Sequence, residues 1–388
     1  MNFIKSRIRF DRNELSGAFG DIGTDLPLIL GMIACSGING AGVFVVFGLM
    51  QVATALIYGI PMPVQPLKAV ALIVITQKIG GEVLYGGGLA IGLVMFFLAV
   101  SGVIDRLGKI IPLAVVRGIQ MGLGLQLSML ALKDYIPSDS TPGFLLAGTA
   151  FIITLLLIGN RRFPPALPVI ILGAVYGFVF KYDPSLFSGA PNLFFHGLHL
   201  PSSDSLLTGF LVLALPQIPL SLGNSVYASS RIINDYFPEK PVSVRKIGFT
   251  YSLMNLVAPF LGGLPVCHGS GGLAGHYAFG ARTGGSIVIY GALFVLLGLF
   301  SAGNVTAAAA VFPKPVLGVI LLFEGISLLN LMRDMAPVKN NFVITVLVAL
   351  AAVCLPYGYL IGMAAGTALY YLADKRIIGI ADPVQVGR

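Results

Sequence analysis

Charged residues are scarce in this chain. They make up 10% of its 388 residues, whereas hydrophobic residues make up 56%. The mean hydropathy is +0.90. Soluble domains are usually close to one quarter charged. The shortage of charge excludes an ordinary soluble domain and indicates a polytopic membrane protein, which we expect in the cell membrane.

Cysteine is also scarce. The three cysteines, Cys35, Cys267 and Cys354, stand far apart in apolar surroundings. This pattern fits neither a disulfide framework nor a CxxC metal site. We therefore expect no metal and no cofactor.

Long apolar runs separated by loops dominate the chain. A bilayer core of about 30 Å needs a helix of about 20 residues. The third and tenth runs offer only about 11 residues, or roughly 16 Å, so we expect each to form a half-helix. The sequence predicts an all-α protein with about 14 transmembrane segments. The runs lie at residues 15–35, 41–58, 66–77, 86–104, 111–131, 143–159, 166–180, 205–228, 247–261, 269–279, 284–301, 315–331, 341–355 and 357–373.

Parts of the first half of the chain return in the second half. Residues 25–31 (DLPLILG) align with residues 217–223 (QIPLSLG), and Pro63-Val64 aligns with Pro265-Val266. The members of each pair are separated by roughly half the chain, as a duplication would give. We predict a first repeat at residues 1–200 and a second at residues 201–388. Because seven spans per repeat is an odd number, the second repeat must be inverted.

The basic residues predict the orientation of the spans, because short cytoplasmic loops carry an excess of lysine and arginine. With both termini in the cytoplasm, the opposite side receives Lys78, Lys133, Lys181 and Lys314, while Lys68 and Arg117 fall inside the membrane. The cytoplasmic side receives Lys5, Arg7, Arg9, Arg12, Arg106, Lys109, Arg161, Arg162, Arg231, Lys240, Arg245, Lys246, Arg282, Arg333, Lys339, Lys375, Arg376 and Arg388. The net charge of +8 therefore reflects topology. We expect no nucleic-acid partner.

Two stretches break the apolar pattern at corresponding places, residues 61–68 (PMPVQPLK) and 264–272 (LPVCHGSGG). In a bilayer, backbone broken by proline and glycine survives only where protein buries it or where it lines a cavity. Each break precedes a half-helix, so we expect two helix N-termini to face each other. Free N–H groups and helix dipoles favour an anion there, and Lys68 adds positive charge. The pattern is typical of a transporter binding site.

Four motifs resemble the molybdate transporter family, a branch of the sulfate permease superfamily. They are residues 17–24 (GAFGDIGT), 61–68, 215–225 (LPQIPLSLGNS) and 267–276 (CHGSGGLAGH), the last followed by 279–282 (FGAR). The resemblance runs almost end to end. It implies an inverted seven-plus-seven fold with core and gate domains, and import of molybdate. The substrate would lie between the third and tenth helices and the first and eighth, and a homodimer would form through the gate.

The chain departs from the family pattern in two places. Asp25 follows the Gly-Thr pair where an aromatic or neutral residue is expected, which bears on coupling and selectivity. The tail after Tyr371 is short, so we expect no soluble C-terminal regulatory domain.

The candidate substrate ligands are residues beside the breaks, and their polar groups suit an oxyanion. Hydrogen bonding between helices is the alternative for the neutral side chains, and satisfaction of broken backbone is the alternative for His268. Lys68 is either a ligand or a counter-charge. His276 and Arg282 are expected at the gate or at an interface. The set comprises Thr24, Gln65, Lys68, Gln217, Asn224, His268, Gly269 and Ser270.

Three acidic residues are candidates for coupling or counter-charge: Asp21, Asp25 and Glu324. Asp21 and Asp25 are four residues apart and share a helix face. Ionised side chains inside a membrane are costly, which favours a functional role or a partner. For Asp21 and Asp25 the interpretations are coupling to a proton or cation, pairing with Lys68 or Arg117, and a position at the membrane interface. For Glu324 they are coupling and a buried pair with Arg117. Two carboxylates beside an anion site would repel the substrate unless they are neutralised.

The sequence predicts a secondary active transporter that imports a tetrahedral oxyanion, with molybdate favoured. Its partners would be molybdate or sulfate, a coupling proton or cation, and the lipid bilayer. A sulfate transporter and an anion channel on the same scaffold stay open as alternatives. The spacing of His268 and Ser270 is weak support for a serine hydrolase, because nothing orients a base toward a nucleophile. We therefore expect no enzyme activity.

Overall fold

A computed structural model describes residues 7–158, 165–181, 200–300 and 311–375. Five of the basic residues assigned to the cytoplasmic side lie outside these ranges: Lys5, Arg161, Arg162, Arg376 and Arg388. Within the described part of the chain the architecture is helical, apart from one pair of two-residue strands. An all-α fold is therefore confirmed.

Nine helices form the first half of the described chain: α1 Arg12–Gly17, α2 Ile22–Ser36, α3 Gly40–Tyr58, α4 Lys68–Gln77, α5 Gly81–Val100, α6 Val103–Ile110, α7 Leu113–Leu130, α8 Ser140–Leu157 and α9 Ala166–Phe180. A π-helical turn, Ala131–Tyr135, and a 3₁₀ turn, Ile136–Asp139, connect α7 to α8. The strand β1, Gln65–Pro66, precedes α4. The short helix α6 has no counterpart among the predicted runs.

Seven helices form the described second half: α10 Ser203–Tyr236, α11 Val244–Val257, α12 Ser270–Ala278, α13 Gly285–Phe300, α14 Lys314–Asn330, α15 Lys339–Cys354 and α16 Gly358–Asp374. The strand β2, Val266–Cys267, precedes α12. Two 3₁₀ turns, Pro259–Leu261 and Leu331–Met335, follow α11 and α14.

Several helices are long and apolar enough to cross a membrane. By length and composition, the described residues contain five: Gly40–Tyr58, Gly81–Val100, Leu113–Leu157, Ser203–Tyr236 and Lys314–Met335. Shorter apolar helices accompany them, including α2, α4 and α15. The chain is thus an integral membrane protein, while the count of 14 spans, the inverted repeat and its boundaries stay predictions.

The long helix α10 is irregular. Two of its segments, Phe210–Ala214 and Ser221–Ala228, are π-helical. Pro216 and Pro219 lie between them, and each removes a backbone donor and crowds the preceding turn. π-Helical turns often occur where a helix lines a functional site. This deviation places the polar side chains of α10 next to α4 and α12.

The two expected half-helices, α4 and α12, have 10 and 9 residues. The extended segments before them meet, because β1 pairs antiparallel with β2 in the register Gln65 to Cys267 and Pro66 to Val266. Leu67 adds a backbone hydrogen bond to the carbonyl of Pro265, at 3.2 Å. The two broken segments therefore support each other across the interior of the bundle.

One amide side chain clamps the broken backbone in each half. Gln51 on α3 accepts from the N–H of Val64 at 2.9 Å and donates to its carbonyl at 2.7 Å. Asn255 on α11 makes the same pair of bonds with Val266, at 2.9 and 2.6 Å. All four residues are buried, where an unpaired backbone group would be costly. The clamp thus acts at the two positions that the sequence alignment matched.

The helices pack into two groups. In the first helix group α3 packs on α13, α5 packs on α10 and α11, and α2 packs on α4; α12 contacts α10. In the second helix group α7 packs on α14 and α15, α15 on α16, and α8 on α9 and α14. The groups meet where α2 contacts α14 and where α10 contacts α16. Their designation as core and gate domains stays a prediction.

Candidate functional site

The predicted site residues converge where α4 and α12 begin. Gln65 and Lys68 come from the first broken segment, while His268, Gly269 and Ser270 come from the second. Thr24, Asp21 and Asp25 lie at the start of α2, and Gln217 and Asn224 lie in the irregular part of α10. All of these residues are buried, and Glu324 on α14 is partly buried.

The N-terminus of α4 is closed by a side chain. Gln217 accepts from the N–H groups of Ala69 and Val70, at 3.0 and 3.3 Å. Its amide nitrogen donates to Ser221 at 3.1 Å, and the hydroxyls of Ser221 and Tyr251 lie 2.7 Å apart. The expectation that both half-helices present free N–H groups is therefore wrong for α4, because a neighbouring helix supplies a cap.

The N-terminus of α12 is open. Its N-cap residue, Gly269, has no side chain, and in the described part of the chain no side chain accepts from the N–H groups of Ser270 or Gly271. Ser270 donates to Asn224 at 2.8 Å, and Gln120 of α7 donates to the same oxygen at 3.3 Å, so these polar groups lie beside the helix end. Gly271 is exposed, and a Cβ built there would meet nothing within 4 Å. The first turn of α12 thus borders open space at Gly271.

Two glycines let polar side chains approach α12 closely. A Cβ on Gly269 would lie 1.4 Å from Oε1 of Gln65, and one on Gly272 would lie 2.1 Å from Oδ2 of Asp21. Gln65 donates through Nε2 to both oxygens of Asp21, at 2.7 and 2.6 Å. Gly269 and Gly272 are required because this pair packs directly on the helix backbone.

An ion pair joins the two helix groups at the site. Lys68, the first residue of α4, donates to Oε1 of Glu324 on α14. Thr24 of α2 donates to the other oxygen, Oε2, at 3.1 Å. The Lys68 side chain is 6% exposed and that of Glu324 is 19% exposed. Glu324 therefore bridges α2 and α4 from the second helix group.

The arginine expected as an alternative partner is engaged elsewhere. Arg117 donates to Asp334 from Nε and Nη2, with the shortest distance 2.6 Å, and its Nη1 donates to Gln120 at 2.9 Å. The pairing of Glu324 with Arg117 is therefore wrong, because Lys68 holds Glu324. The pairing of Asp21 or Asp25 with Arg117 is also wrong, because Gln65 donates to Asp21, Tyr290 donates to Asp25 and Arg117 donates to Asp334.

Asp25 has one partner among the described residues. Tyr290 of α13 donates to its Oδ2 at 2.9 Å, while Oδ1 has none. Gln65 Oε1 is also buried without a donor. The site therefore holds more hydrogen-bond acceptors than the described side chains can satisfy.

Both histidines hold broken or irregular backbone. The ring nitrogens of His268 lie 2.8 Å from Thr250 Oγ1 and 3.1 Å from the carbonyl of Pro63. His276 lies 2.6 Å from the carbonyl of Gly17 and is buried. Arg282 donates to the carbonyls of Tyr277 and Ala281. His268 thus acts as the structural alternative expected, and we leave it and Gln217 out of the proposed ligand set.

Two cavities, which we name the inner and the outer cavity, lie along α2 and α14. The inner cavity has a volume of about 250 Å³ and is lined by Gly20, Thr24 and the α14 residues Ile320, Phe323 and Glu324. The outer cavity has a volume of about 500 Å³. It is lined by Cys35 at the end of α2, Ile75, Lys78, Asp134 and Lys314. Glu324 of the ion pair thus borders the inner cavity, and the two cavities lie against different parts of the same helix pair.

The charges in the site do not favour an anion as they stand. Asp21, Asp25 and Glu324 face one buried cation, Lys68, and the four groups are close enough to act on one another. A dianion added to three ionised carboxylates would be repelled. Occupancy by an anion therefore requires that a carboxylate be neutralised or moved.

Comparison with known proteins identifies the family. A family model described as "Molybdate transporter of MFS superfamily" matches residues 13–127 and 209–328. This chain belongs to that molybdate transporter family. Two proteins of Arabidopsis thaliana, Molybdate transporter 1 and Molybdate transporter 2, are 32% and 33% identical to it over 95% and 97% of its length. The matches cover 90% and 91% of those proteins.

A Molybdate transporter 1 of Chlamydomonas reinhardtii is 24% identical, over 90% of each chain. The matched family segments contain Thr24, Gln65, Lys68, Asn224, Ser270 and Glu324. The family is one of transporters and not of enzymes.

Solved structures with a similar fold come from anion transporters. The transmembrane domain of the cyanobacterial bicarbonate transporter BicA superposes with a TM-score of 0.64 at 17% identity, covering 90% of this chain and 99% of that one. SLC26A9 gives 0.68 at 15% identity, covering 98% and 67%, and murine Slc26a9, in the inward-facing state, gives 0.69 at 13% identity, covering 95% and 69%. At these identities the similarity to BicA and SLC26A9 is a similarity of fold.

Sequence reasoning missed several residues that shape the site. Gln51 lies in a long apolar helix, where a lone polar residue was the available signal, whereas Asn255 and Tyr290 lie in shorter helices. Gln120 lies one helical turn after Arg117. Each of these side chains bonds to a site residue or to the backbone that carries one.

Proposed function

We propose that this chain is a secondary active transporter that imports molybdate through the cell membrane. The observation that carries the proposal is the open N-terminus of α12, beside the buried ammonium of Lys68. Helix N-terminal N–H groups and a lysine are suited to a tetrahedral oxyanion. Membership in the molybdate transporter family supports molybdate as the substrate.

The proposed ligands are the first-turn N–H groups of α12 at Gly269, Ser270 and Gly271, with Lys68 and Thr24 on the facing side. Asn224 orients the Ser270 hydroxyl at 2.8 Å. Because Gly271 faces open space, an oxyanion can reach the backbone there without displacing a side chain. The ligands thus surround the anion from both broken segments.

The proposed route runs between α2 and α14. The inner and outer cavities lie on the same two helices, and Glu324 lines the inner one, where it is paired with Lys68. Since α2 and α14 belong to different helix groups, relative movement of the groups would open one cavity to the site and close the other. This is alternating access by rocking of one group against the other.

Coupling is proposed at the acidic residues. Asp21 and Asp25 are buried beside the anion site, and Asp25 keeps one carboxylate oxygen without a described partner. Binding of a proton or a cation at these groups would offset the charge of the substrate. A homodimer formed through the second helix group is part of the same proposal and rests on the family resemblance.

Uptake of radiolabelled molybdate into proteoliposomes tests the proposal. Excess sulfate serves as the competitor, and an imposed proton gradient is the variable. We expect saturable uptake that resists sulfate and that increases with the gradient. Uptake of sulfate alone would reassign the substrate, a conductance without saturation or counterflow would indicate a channel, and transport of neither anion would contradict the proposal.

Ser270→Ala and Gly271→Ala test the location of the site. Ser270→Ala removes the hydroxyl that bonds to Asn224, while Gly271→Ala adds a methyl group to open space at the helix end. Both variants keep the backbone N–H groups. We expect both to fold and to raise the KM for molybdate roughly threefold to tenfold, because one disturbs the polar groups beside the helix end and the other places a methyl group where the anion would lie. An unchanged KM in both would place the site elsewhere.

A further inference from the structure

Glu324 presents two carboxylate oxygens to two separate donors. Lys68 donates to Oε1 and Thr24 donates to Oε2, at 3.1 Å for the second bond. An oxyanion such as molybdate presents the same kind of group, an oxygen pair with negative charge, to an ammonium and a hydroxyl. The Glu324 carboxylate and the proposed substrate can therefore both accept hydrogen bonds from Lys68 and Thr24.

The environment allows this carboxylate to leave. Glu324 lines the inner cavity, and its side chain is 19% exposed, whereas Lys68 is 6% exposed. Lys68 and Thr24 lie on the first helix group, while Glu324 lies on α14 of the second. Movement of α14 away from α2 would release the carboxylate toward the cavity and leave the ammonium in place.

The charge of Lys68 requires that one anionic partner replace the other. The pair of Lys68 and Glu324 has no net charge, so it does not attract an anion. An unpaired buried ammonium is strongly unfavourable, so Lys68 needs one anionic partner at all times. An oxyanion can supply that partner when Glu324 withdraws.

We propose that Glu324 is a tethered competitor of the transported oxyanion, which displaces it from Lys68 and Thr24. This inference rests on the proposed function. In the empty transporter Glu324 neutralises Lys68 and holds α14 against α2 and α4. In the loaded transporter the oxyanion takes both donors, and the contact between the two helix groups is released.

The competition has a kinetic consequence. The empty carrier must return across its cycle with Lys68 neutralised, and Glu324 is the group that does this. Without the carboxylate, the carrier binds the oxyanion more tightly, and its binding site moves back across the membrane efficiently only when an oxyanion is bound. Net uptake then fails, while exchange of one oxyanion for another persists.

Glu324→Gln tests this in the full-length chain reconstituted in liposomes, with molybdate as the probe and sulfate as a second dianion. We expect the Kd for molybdate to fall about tenfold, net uptake to fall about tenfold or more, and self-exchange to stay within roughly twofold of the wild type. Lys68→Gln should lose binding, and the double variant should not regain it. Asp139→Asn, which breaks the 2.5 Å pair with Lys181 away from the site, is the matched control and should change none of the three quantities.

A purely structural ion pair gives a different pattern. Glu324→Gln and Lys68→Gln would then lower stability alike, and neither would bind molybdate more tightly, which overturns the competition. If the wild type neither binds nor transports an oxyanion, the proposed function itself fails. If the wild type exchanges molybdate and Glu324→Gln binds it no more tightly, only the competition fails.

A measurement on the wild type covers the case in which the variants do not fold. A hydrophobic carbodiimide labels free carboxyl groups in membranes, and peptide mass spectrometry locates the label. Displacement predicts that saturating molybdate increases labelling at Glu324, because the carboxylate leaves Lys68. Unchanged or decreased labelling at Glu324 in a chain that binds molybdate would overturn the inference.

Discussion

The segments before α4 and α12 are held in the same way, but the N-termini of the two helices are capped differently. Before each one, an amide side chain clamps a valine of the extended segment, Gln51 on Val64 and Asn255 on Val266. At the helix start, however, Gln217 caps α4, while no described side chain caps α12. The shared clamp is a requirement of broken backbone in a membrane, which applies to both halves. The unequal caps assign the free N–H groups to one half only.

The comparison separates residues that build the site from residues that use it. A clamp satisfies backbone groups that would otherwise be orphaned, so it is needed whether or not a ligand binds. An uncapped helix N-terminus leaves N–H groups unsatisfied, which is unfavourable unless an anion binds them. The open half is therefore where we expect ligand-dependent effects.

Removal of either clamp has the largest expected effect. Gln51→Ala and Asn255→Ala each leave one buried N–H and one buried carbonyl without a partner, at about 1–3 kcal/mol per group. We expect each variant to lose about 3–5 kcal/mol of stability and to be recovered poorly from the membrane. Thermal unfolding followed with a thiol-reactive dye measures this, since Cys267 is buried and free.

Matched variants separate lost hydrogen bonds from lost volume. Gln51→Met and Asn255→Leu keep the size of the side chain and remove both bonds. If the clamps matter as stated, these variants are nearly as unstable as the alanine variants. Effects that differ widely between the two halves would break the comparison, because equal clamps should cost equal amounts.

Gly269→Ala comes next in size. A Cβ there would lie 1.4 Å from Oε1 of Gln65, which forces Gln65 away from Asp21. Overpacking costs about 1–3 kcal/mol, and loss of the amide leaves Asp21 without its donor. We expect reduced stability and no molybdate uptake.

Gly271→Ala is the control for this substitution, because it adds the same methyl group where nothing lies within 4 Å. It should fold like the wild type, with weaker substrate affinity only. Equal damage from both substitutions would mean that α12 tolerates no side chain at its start. The steric argument for Gly269 would then fail.

Gln217→Ala tests the capped half. The substitution exposes the N–H groups of Ala69 and Val70, and loss of a helix cap costs about 1–2 kcal/mol. We expect a lower melting temperature with the Kd for molybdate within roughly twofold of the wild type. A clear gain in affinity would show that α4 binds anions once it is uncapped. The difference between the halves would then lie in the cap alone.

Much of the fold could be predicted from the sequence. Apolar runs and the proline and glycine breaks indicated the helical architecture, and the two short runs match the short helices α4 and α12, of 10 and 9 residues. The helix α6 and the π-helical turns of α10 were not predicted. The π-helical turns depend on packing against neighbouring helices, for which hydrophobic periodicity carries no signal. Helix α6 has a clear amphipathic pattern, but it is too short and too charged to stand out as an apolar run.

The site could be predicted only as a set of residues. Thr24, Gln65 and Lys68 were expected near the breaks, and the structure brings them together with Glu324, which was expected only as a coupling candidate on a later span. The partner of Glu324 was not predictable, because Lys68 and Glu324 are far apart in the sequence and Arg117 was the partner considered. The same limit applies to Glu14, which accepts from the N–H groups of Arg282, Thr283 and Ser286 across the whole chain.

The smallest expected effect lies at the other ends of the half-helices. α4 ends at Lys78 with a φ of 53°, in the left-handed region that is unfavourable for side chains, whereas α12 ends at Phe279 with a φ of −88°. Lys78→Gly should therefore stabilise the protein by about 1 kcal/mol, while Phe279→Gly should not. Lys78 also lines the outer cavity with Lys314, so Lys78→Asn, which tolerates the same backbone without the charge, is the control. A rise in melting temperature for Lys78→Gly that is also seen for Phe279→Gly would trace the gain to the glycine itself and not to the different ends of the two helices.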